Sequence, residues 1–257
     1  MPETLLITGG ASGIGAATAR LAAARGYKVA VNYRSRRQAA EAIVADIAHS
    51  GGEAIALPGD VAHEADIVRL FDETEKRLGP LTRLVNSAGV GGGMFRVADL
   101  DAAALAEMMA INVTGLMLCC REAARRMSTR RGGKGGSIVN VSSMAGTFGG
   151  RSGKSHYAAS KAAVDAFTKG FAREVAREGI RINVVRPGMV LTEMTEDNLR
   201  DPTARADVEA SIPMGRVGTA TELAAAVLWL LSDDCPFMSG ARLDVSGGGF
   251  VIGKPRV

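Results

Sequence analysis

Residues 4–33 read TLLITGGASGIGAATARLAAARGYKVAVNY, and the order of residue types in this stretch sets the fold. A short apolar run at 4–8 is followed by a glycine-rich turn, an alanine-rich helical pattern over 13–25 and a second β-favouring run at 28–33. Strand, turn, helix and strand at this spacing form the unit that joins two parallel strands. The glycines allow a tight turn and let backbone N–H groups approach an anion at the positive end of the helix that follows. Their spacing, Gly-x-x-x-Gly-x-Gly, departs from the Gly-x-Gly-x-x-Gly dinucleotide fingerprint, so taken alone it also suits an ordinary turn.

The pattern continues outward. Further β-favouring runs are predicted at 54–57, 83–85, 137–141, 180–185 and 242–245, alternating with helices over 36–50, 63–78, 101–127, 154–178 and 221–232. Seven strands joined by right-handed crossovers imply a parallel, doubly wound α/β sheet with helices on both faces and ligands beyond the carboxyl ends of its strands. No linker or composition break divides the chain, so a single domain over 1–257 is expected. Two segments fit this scheme poorly. Residues 130–136 read as a surface loop, and 189–215, acidic and helical between Pro187-Gly188 and Pro213, as a flap over the substrate.

With 257 residues and 47% hydrophobic content, the chain can bury a substantial core. The longest strongly apolar run, 223–231, is short of the roughly 20 residues a membrane span needs, and the polar turn comes too early for a signal peptide. A cytoplasmic protein without a membrane partner is expected. Adjacent Cys119 and Cys120 and remote Cys235 match neither a metal site nor a disulfide framework and read as small apolar residues. His49, His63 and His156 are scattered, and no catalytic metal is expected. A net charge of +4 comes with no nucleic-acid motif or aromatic-interleaved basic stripe, so it reads as a solvated surface.

On a helix over 154–178, Tyr157 and Lys161 share one face. A tyrosine with a pKa of about 10 is a poor proton shuttle near neutral pH, and a neighbouring ammonium is expected to lower that value. The same spacing occurs on any amphipathic helix. At the end of the second strand stands Asn32-Tyr33-Arg34-Ser35-Arg36. An NAD-preferring site places an acid there, about 20 residues past the glycines, but this segment has none. Arg34 would attract a 2′-phosphate, which points to NADP(H) over NAD(H), although the cluster also suits an exposed basic helix start. Asp60-Val61 and Asn86-Ser87-Ala88-Gly89 follow the third and fourth strands. Asp60 could accept from an adenine amino group and the small Ala88 and Gly89 admit a ribose, or these residues serve as turns and caps.

Taken in order, the turn at 8–15, Asp60-Val61, residues 86–89, Asn112, Ser143, Tyr157 with Lys161, and Pro187-Gly188 followed by Thr192 resemble the compact short-chain dehydrogenases/reductases over essentially the whole chain. The resemblance implies a single NAD(P)-binding Rossmann domain that moves a hydride between a nicotinamide and a small-molecule carbonyl or secondary alcohol. It gives Ser143 the substrate oxygen, Tyr157 the proton, Lys161 the nicotinamide ribose and Asn112 a proton-relay water. It also implies cofactor contacts from Thr8, Gly9, Ser12, Gly13, Ile14 and Gly15, and from Asn32, Tyr33 and Arg34. Asp60, Val61, Asn86, Ala88 and Gly89 continue that set, with Tyr157, Lys161, Pro187, Gly188, Val190 and Thr192 completing it. A homotetramer assembled through the helices 101–127 and 154–178 is a further implication.

Two departures stand out: Ser87 replaces a second asparagine, and Ser143 lies about one residue farther from Tyr157 than the commonest family spacing. Ser142 is therefore an alternative to Ser143, which is preferred because it is one step farther from the strand. Within the family, the chain is similar to glucose 1-dehydrogenases and to 3-oxoacyl-acyl-carrier-protein reductases. Pocket candidates 91–94, Met144, Arg151, His156 and Met189 leave sugar, steroid and acyl thioester open. A non-catalytic NADP-binding sensor would not need Ser143, Tyr157 and Lys161 together.

Overall fold

Strand β1 (Thr4–Thr8) has no solvent-facing side, and Leu5, Leu6 and Ile7 are fully buried. Burial on both faces is what a central parallel strand requires, since helices cover the sheet above and below. The computed structural model describes residues 3–249. After β1 come α1 (Gly13–Ala24), β2 (Lys28–Tyr33), α2 (Arg37–His49), β3 (Glu53–Pro58), α3 (Glu64–Leu78) and β4 (Leu81–Asn86). The second half runs α4 (Ala102–Met109), α5 (Leu116–Met127), β5 (Gly136–Val141), α6 (Ala145–Phe148), α7 (Ser155–Val175) and β6 (Ile180–Pro187). It ends with β7 (Val190–Leu191), α8 (Glu196–Leu199), α9 (Pro202–Ala210), β8 (Gly218–Thr219), α10 (Ala220–Leu231) and β9 (Arg242–Val245).

Seven strands form one parallel sheet in the order β3-β2-β1-β4-β5-β6-β9, the doubly wound Rossmann arrangement expected. The two-residue period of a strand divides the core. Leu5, Ile7, Val29 and Val31 pack with α1, α2 and α10, while Leu6 and Ala30 pack with α3, α5 and α7. Buried alanines on α1 (Ala16, Ala19, Ala22 and Ala23) present little bulk to the helices and strands around them.

The expected helix 101–127 divides into α4 and α5 around a π-helical turn at Ala110–Gly115. Asn112 lies inside that turn, and its bonds to other elements compensate for the looser winding. Together Ala102–Met127 is long and apolar enough to span a membrane by length and composition, an 18-residue window within it reaching a mean hydropathy of 1.7. Glu107 and Asn112 interrupt this segment, so it is not an unbroken apolar run like 223–231. Its Leu116, Cys119, Cys120, Ala123 and Met127 side chains are buried in the core beneath the sheet. The three cysteines are buried and unbonded, and burial pushes the Cys120 thiol up to about 12.

The segment 189–215 shares a small core with a residue just beyond it, Leu199, Ile212 and Val217 being buried against Met189 and Val208. Pairing of β7 with β8 holds its two ends together. Residues 1–2 and 250–257 of the single-domain reading lie outside the described residues.

Candidate active site

Strand β1 has β2 on one side and β4 on the other, so the loops leaving β1 and β4 diverge at the point where strand order reverses, which opens a crevice. Gly9, at φ +64°, sits where those loops touch: a Cβ there would lie 2.7 Å from Ala88 Cα. Both conformation and space require glycine. The Gly9 N–H donates to Asn32 Oδ1 at 3.2 Å and Gly10 N–H to Asn32 O at 2.8 Å. Asn32 Nδ2 donates in turn to Gly59 O at 2.9 Å. One side chain on β2 thus braces the loops after β1 and β3.

Two joined hollows follow from this arrangement. One, about 160 Å³, is lined by Tyr33, Arg34, Arg36, Asp60 and Val61. The other, about 210 Å³, is lined by Gly13, Ile14, Ser143, Tyr157, Lys161, Pro187, Gly188, Val190 and Thr192. Gly9, Ser12, Ala88 and Gly89 line both. A glycine-lined cradle whose walls leave no room for a Cβ, with arginines at one end and a phenol and ammonium at the other, fits a dinucleotide. A larger hollow of about 990 Å³ lies at the opposite end of the sheet, around Arg83 and Arg181, and holds none of the expected site residues.

The end of β5 separates the two candidate serines. Ser142 is buried and donates to Lys161 O at 3.0 Å, bonding the strand end to α7. Ser143 accepts from Ala145 N–H at 3.1 Å, and its hydroxyl acts on the Tyr157 phenol to pull the pKa down. Helix α7 carries Tyr157 and Lys161 one turn apart, with Lys161 Nζ 5.8 Å from the Tyr157 ring centroid. Lys161 is 5% exposed, donates to Val141 O at 3.0 Å, and is pushed down to about 8 by burial, with Asp165 opposing.

For Tyr157 the expected direction is reversed. Burial holds the phenol above its ordinary value, because loss of hydration around a phenolate outweighs the hydrogen bond from Ser143 that favours it.

Several expected cofactor contacts turn elsewhere. Thr8 is buried, and its hydroxyl accepts from Ala88 N–H at 3.3 Å, so it ties the two loops together and does not line the cleft. Asn86 faces away as well, donating to Asn140 Oδ1 at 2.9 Å, while Asn140 donates to Thr168 Oγ1 at 2.9 Å. This buried chain joins β4, β5 and α7, because adjacent Asn86 and Asn140 are register partners. Asp60 Oδ1 accepts from Ala62 N–H at 2.9 Å, an Asx turn, while its other oxygen is 3.8 Å from Arg34.

Asn112 has both amide ends engaged. Its Oδ1 accepts from Val90 N–H at 2.9 Å, and its Nδ2 donates to Val90 O at 2.9 Å and to Ser160 Oγ at 3.2 Å. The side chain clamps the loop after β4 and leaves no donor for a relay water.

Sequence reasoning missed three neighbours. Arg34, whose own segment holds no acid, has Glu107 at 3.4 Å as well as Asp60 at 3.8 Å. Lys154, unmentioned beforehand, donates to Gly91 O at 3.1 Å and Gly93 O at 2.6 Å, and His156 bonds Gly92 O at 3.0 Å. The residues just before Tyr157 thus bind the glycine loop after β4. Glu193 Oε2 accepts from Gly13 N–H at 2.9 Å across 180 residues of chain. No local pattern signals such pairings.

The profile of a family described as enoyl-(acyl carrier protein) reductase matches residues 9–249. The uncharacterized oxidoreductase YgfF of Escherichia coli is 44% identical over 243 residues, covering 95% of this chain and 98% of the relative. The human 3-oxoacyl-acyl-carrier-protein reductase is 40% identical over 250 residues, covering 96% and 98%. Among solved structures, a short-chain dehydrogenase/reductase from Serratia marcescens superposes with a TM-score of 0.89 at 32% identity, covering 96% of this chain and 97% of its own. A blue fluorescent protein from a metagenomic library in complex with NADPH gives 0.87 at 32% identity, with the same coverage of 96% and 97%.

Proposed function

The chain belongs to the short-chain dehydrogenase/reductase family of NAD(P)-dependent oxidoreductases, and from that premise we propose that it interconverts a carbonyl and a secondary alcohol using NADP(H), with Tyr157 as proton donor and acceptor. One observation carries the reading: the Tyr157 phenol meets Ser143 and lies above buried Lys161 at one end of a glycine-lined cleft whose other end holds Arg34 and Arg36.

When bound, the nicotinamide supplies or accepts the hydride. The chain's own residues do the rest. Ser143 holds the carbonyl oxygen, and Tyr157 delivers its proton to that oxygen as negative charge develops there. Lys161 has spent one of its three donors on Val141 O. The remaining two would serve the ribose, while Ser143 opposes the burial that raises the Tyr157 pKa. Gly9, Ser12, Gly13 and Ile14 would hold the pyrophosphate, Tyr33 and Arg34 the adenosine phosphate end, and Thr192 the nicotinamide end, while Gly15, buried against Gly9 O, closes the turn and lines neither hollow.

The fit is better to a 3-oxoacyl thioester than to a sugar. Met94 and Met194, in loops, and Phe148, at the end of α6, expose 67%, 54% and 50% of their surface beyond the carboxyl ends of the strands, where a sugar would need polar partners. The 40% identical human relative is named for that substrate class. Residues 189–215 are proposed as the cover of this pocket, and the helical faces of α5 and α7, where Phe167 stacks on Phe171, as the tetramer contact. Sedimentation at four times the chain mass is the expected result, and a monomer would exclude that contact.

Oxidation of NADPH against a panel of 3-oxoacyl thioesters, ketones and sugars, repeated with NADH, tests the reading. Arg34→Ser is expected to raise the KM for NADPH about tenfold while leaving that for NADH within about twofold, the loss of one charged contact to phosphate. Equal turnover with both cofactors in the unaltered enzyme would refute the Arg34 argument.

A further inference from the structure

We infer that Glu193 is an internal occupant of the pyrophosphate's place, so that cofactor entry must expel it and thereby release the start of the segment 189–215. The inference rests on the cofactor site proposed above.

Helix α1 brings no anion of its own to its positive end. Its N-cap Ser12 makes no side-chain hydrogen bond, and its first turn contains no acid. The carboxylate found there comes from the far side of the cleft: Glu193 Oε2 takes the Gly13 N–H at 2.9 Å, and Oε1 lies 3.7 Å from Arg36 Nη1. A helix-end N–H together with a guanidinium is the pair of donors that a phosphate oxygen takes.

The contact is close but shallow. Gly13 has φ +48°, and a Cβ on it would lie 3.2 Å from Thr192 Cγ2 and 3.6 Å from the Glu193 carboxylate. The root of the 189–215 segment therefore rests directly on the turn. The Glu193 side chain is 45% exposed, so water competes for the carboxylate and displacement costs little.

Residues 190–195 move with Glu193, because Thr195 Oγ1 donates to Val190 O at 2.5 Å and accepts from Thr192 N–H at 3.0 Å. A pyrophosphate bringing its own negative charge to Gly13 and Arg36 cannot share them with a carboxylate. Entry of the cofactor thus frees Arg36 and lifts Glu193 off Gly13 together, leaving Thr192 to turn to the nicotinamide end. Cofactor affinity is set below what the cradle alone would give.

NADPH dissociation constants of the full chain, measured by fluorescence titration for wild type, Glu193→Gln and Glu193→Asp, test this. Glu193→Gln removes the charge, whereas Glu193→Asp keeps the charge but is one methylene too short for the contact. Both are expected to bind NADPH about fivefold more tightly, the scale of one helix-end charge interaction. Tightening in Glu193→Gln alone would mean simple charge repulsion and overturn the occupancy, as would no tightening in either. Binding in none of the three proteins would overturn the cofactor reading itself, and this inference with it. Trypsin cleavage after Arg200, whose side chain is 73% exposed at the end of α8, reads the release. It is expected to be faster in unliganded Glu193→Gln than in unliganded wild type, and equal rates would overturn the coupling to the segment.

Discussion

Tyr157→Phe is expected to lower turnover by about a thousandfold while leaving the NADPH dissociation constant within about twofold. The ring survives the change, so the packing of α7 against the cleft is kept, and only the hydroxyl that meets Ser143 is lost. Among the described residues that line that end of the cleft, no other phenol stands in for the donor. Lys161 is held on Val141 O, and Ser142 is turned onto Lys161 O. Ser143→Ala removes a stabilising donor but leaves the proton source, so its effect is expected to be smaller, about a hundredfold. Steady-state kinetics with a parallel fluorescence titration separate the two quantities. Full turnover in the phenylalanine variant would end the assignment of Tyr157.

Lys161→Met is expected to lower turnover at least about a hundredfold and, independently of catalysis, to change how stability depends on pH. Burial lowers the Lys161 pKa from 10.5 to about 8 in the folded chain. Between those two values the unfolded chain holds a proton that the folded chain has released, so the lysine makes stability rise with pH across that window. Below it the buried ammonium carries a cost of roughly 3 kcal/mol, and above it the cost is gone. The difference in unfolding free energy between wild type and variant cancels the other titrating groups, including Tyr27 and Cys120, whose raised values act in the opposite direction. Urea unfolding at several values from pH 7.5 to 10 is expected to show that difference moving in favour of wild type by a few kcal/mol. A pH-independent difference would mean that Lys161 titrates like an exposed lysine.

Much of the fold was legible from local pattern. Strands at 4–8, 28–33 and 242–245 lie at their expected bounds, because fully buried parallel strands read as unbroken β-favouring runs bounded by turns. The other four run longer than expected, as with Leu81–Asn86, where polar Thr82 and Asn86 mask the ends of a strand that neighbouring backbones complete. The helix 101–127 was found, but not its π-helical turn, which depends on Asn112 reaching Val90 and Ser160 in other elements.

The site divides in the same way. Tyr157, Lys161 and the glycine turn were legible because each works through short-range geometry: one helical turn, or one loop between strand and helix. Thr8 and Asn86 were misread because a strand's last residue faces either the cleft or the core, and only the neighbouring strand and helix decide which. Ser142 and Ser143 were separated only by the direction of the chain after β5.

What the sequence by itself determined is the order of elements, the doubly wound sheet and the identity of the groups at its carboxyl edge, since periodicity and turn chemistry act over a few residues. Tertiary structure alone decided how those groups are charged and engaged. It raised Tyr157 and lowered Lys161 by removing water, gave Arg34 the carboxylates of Asp60 and Glu107, and set Glu193 on Gly13. Desolvation and charge pairing depend on distance through space, and the fold brings together residues as far apart in the chain as Gly13 and Glu193.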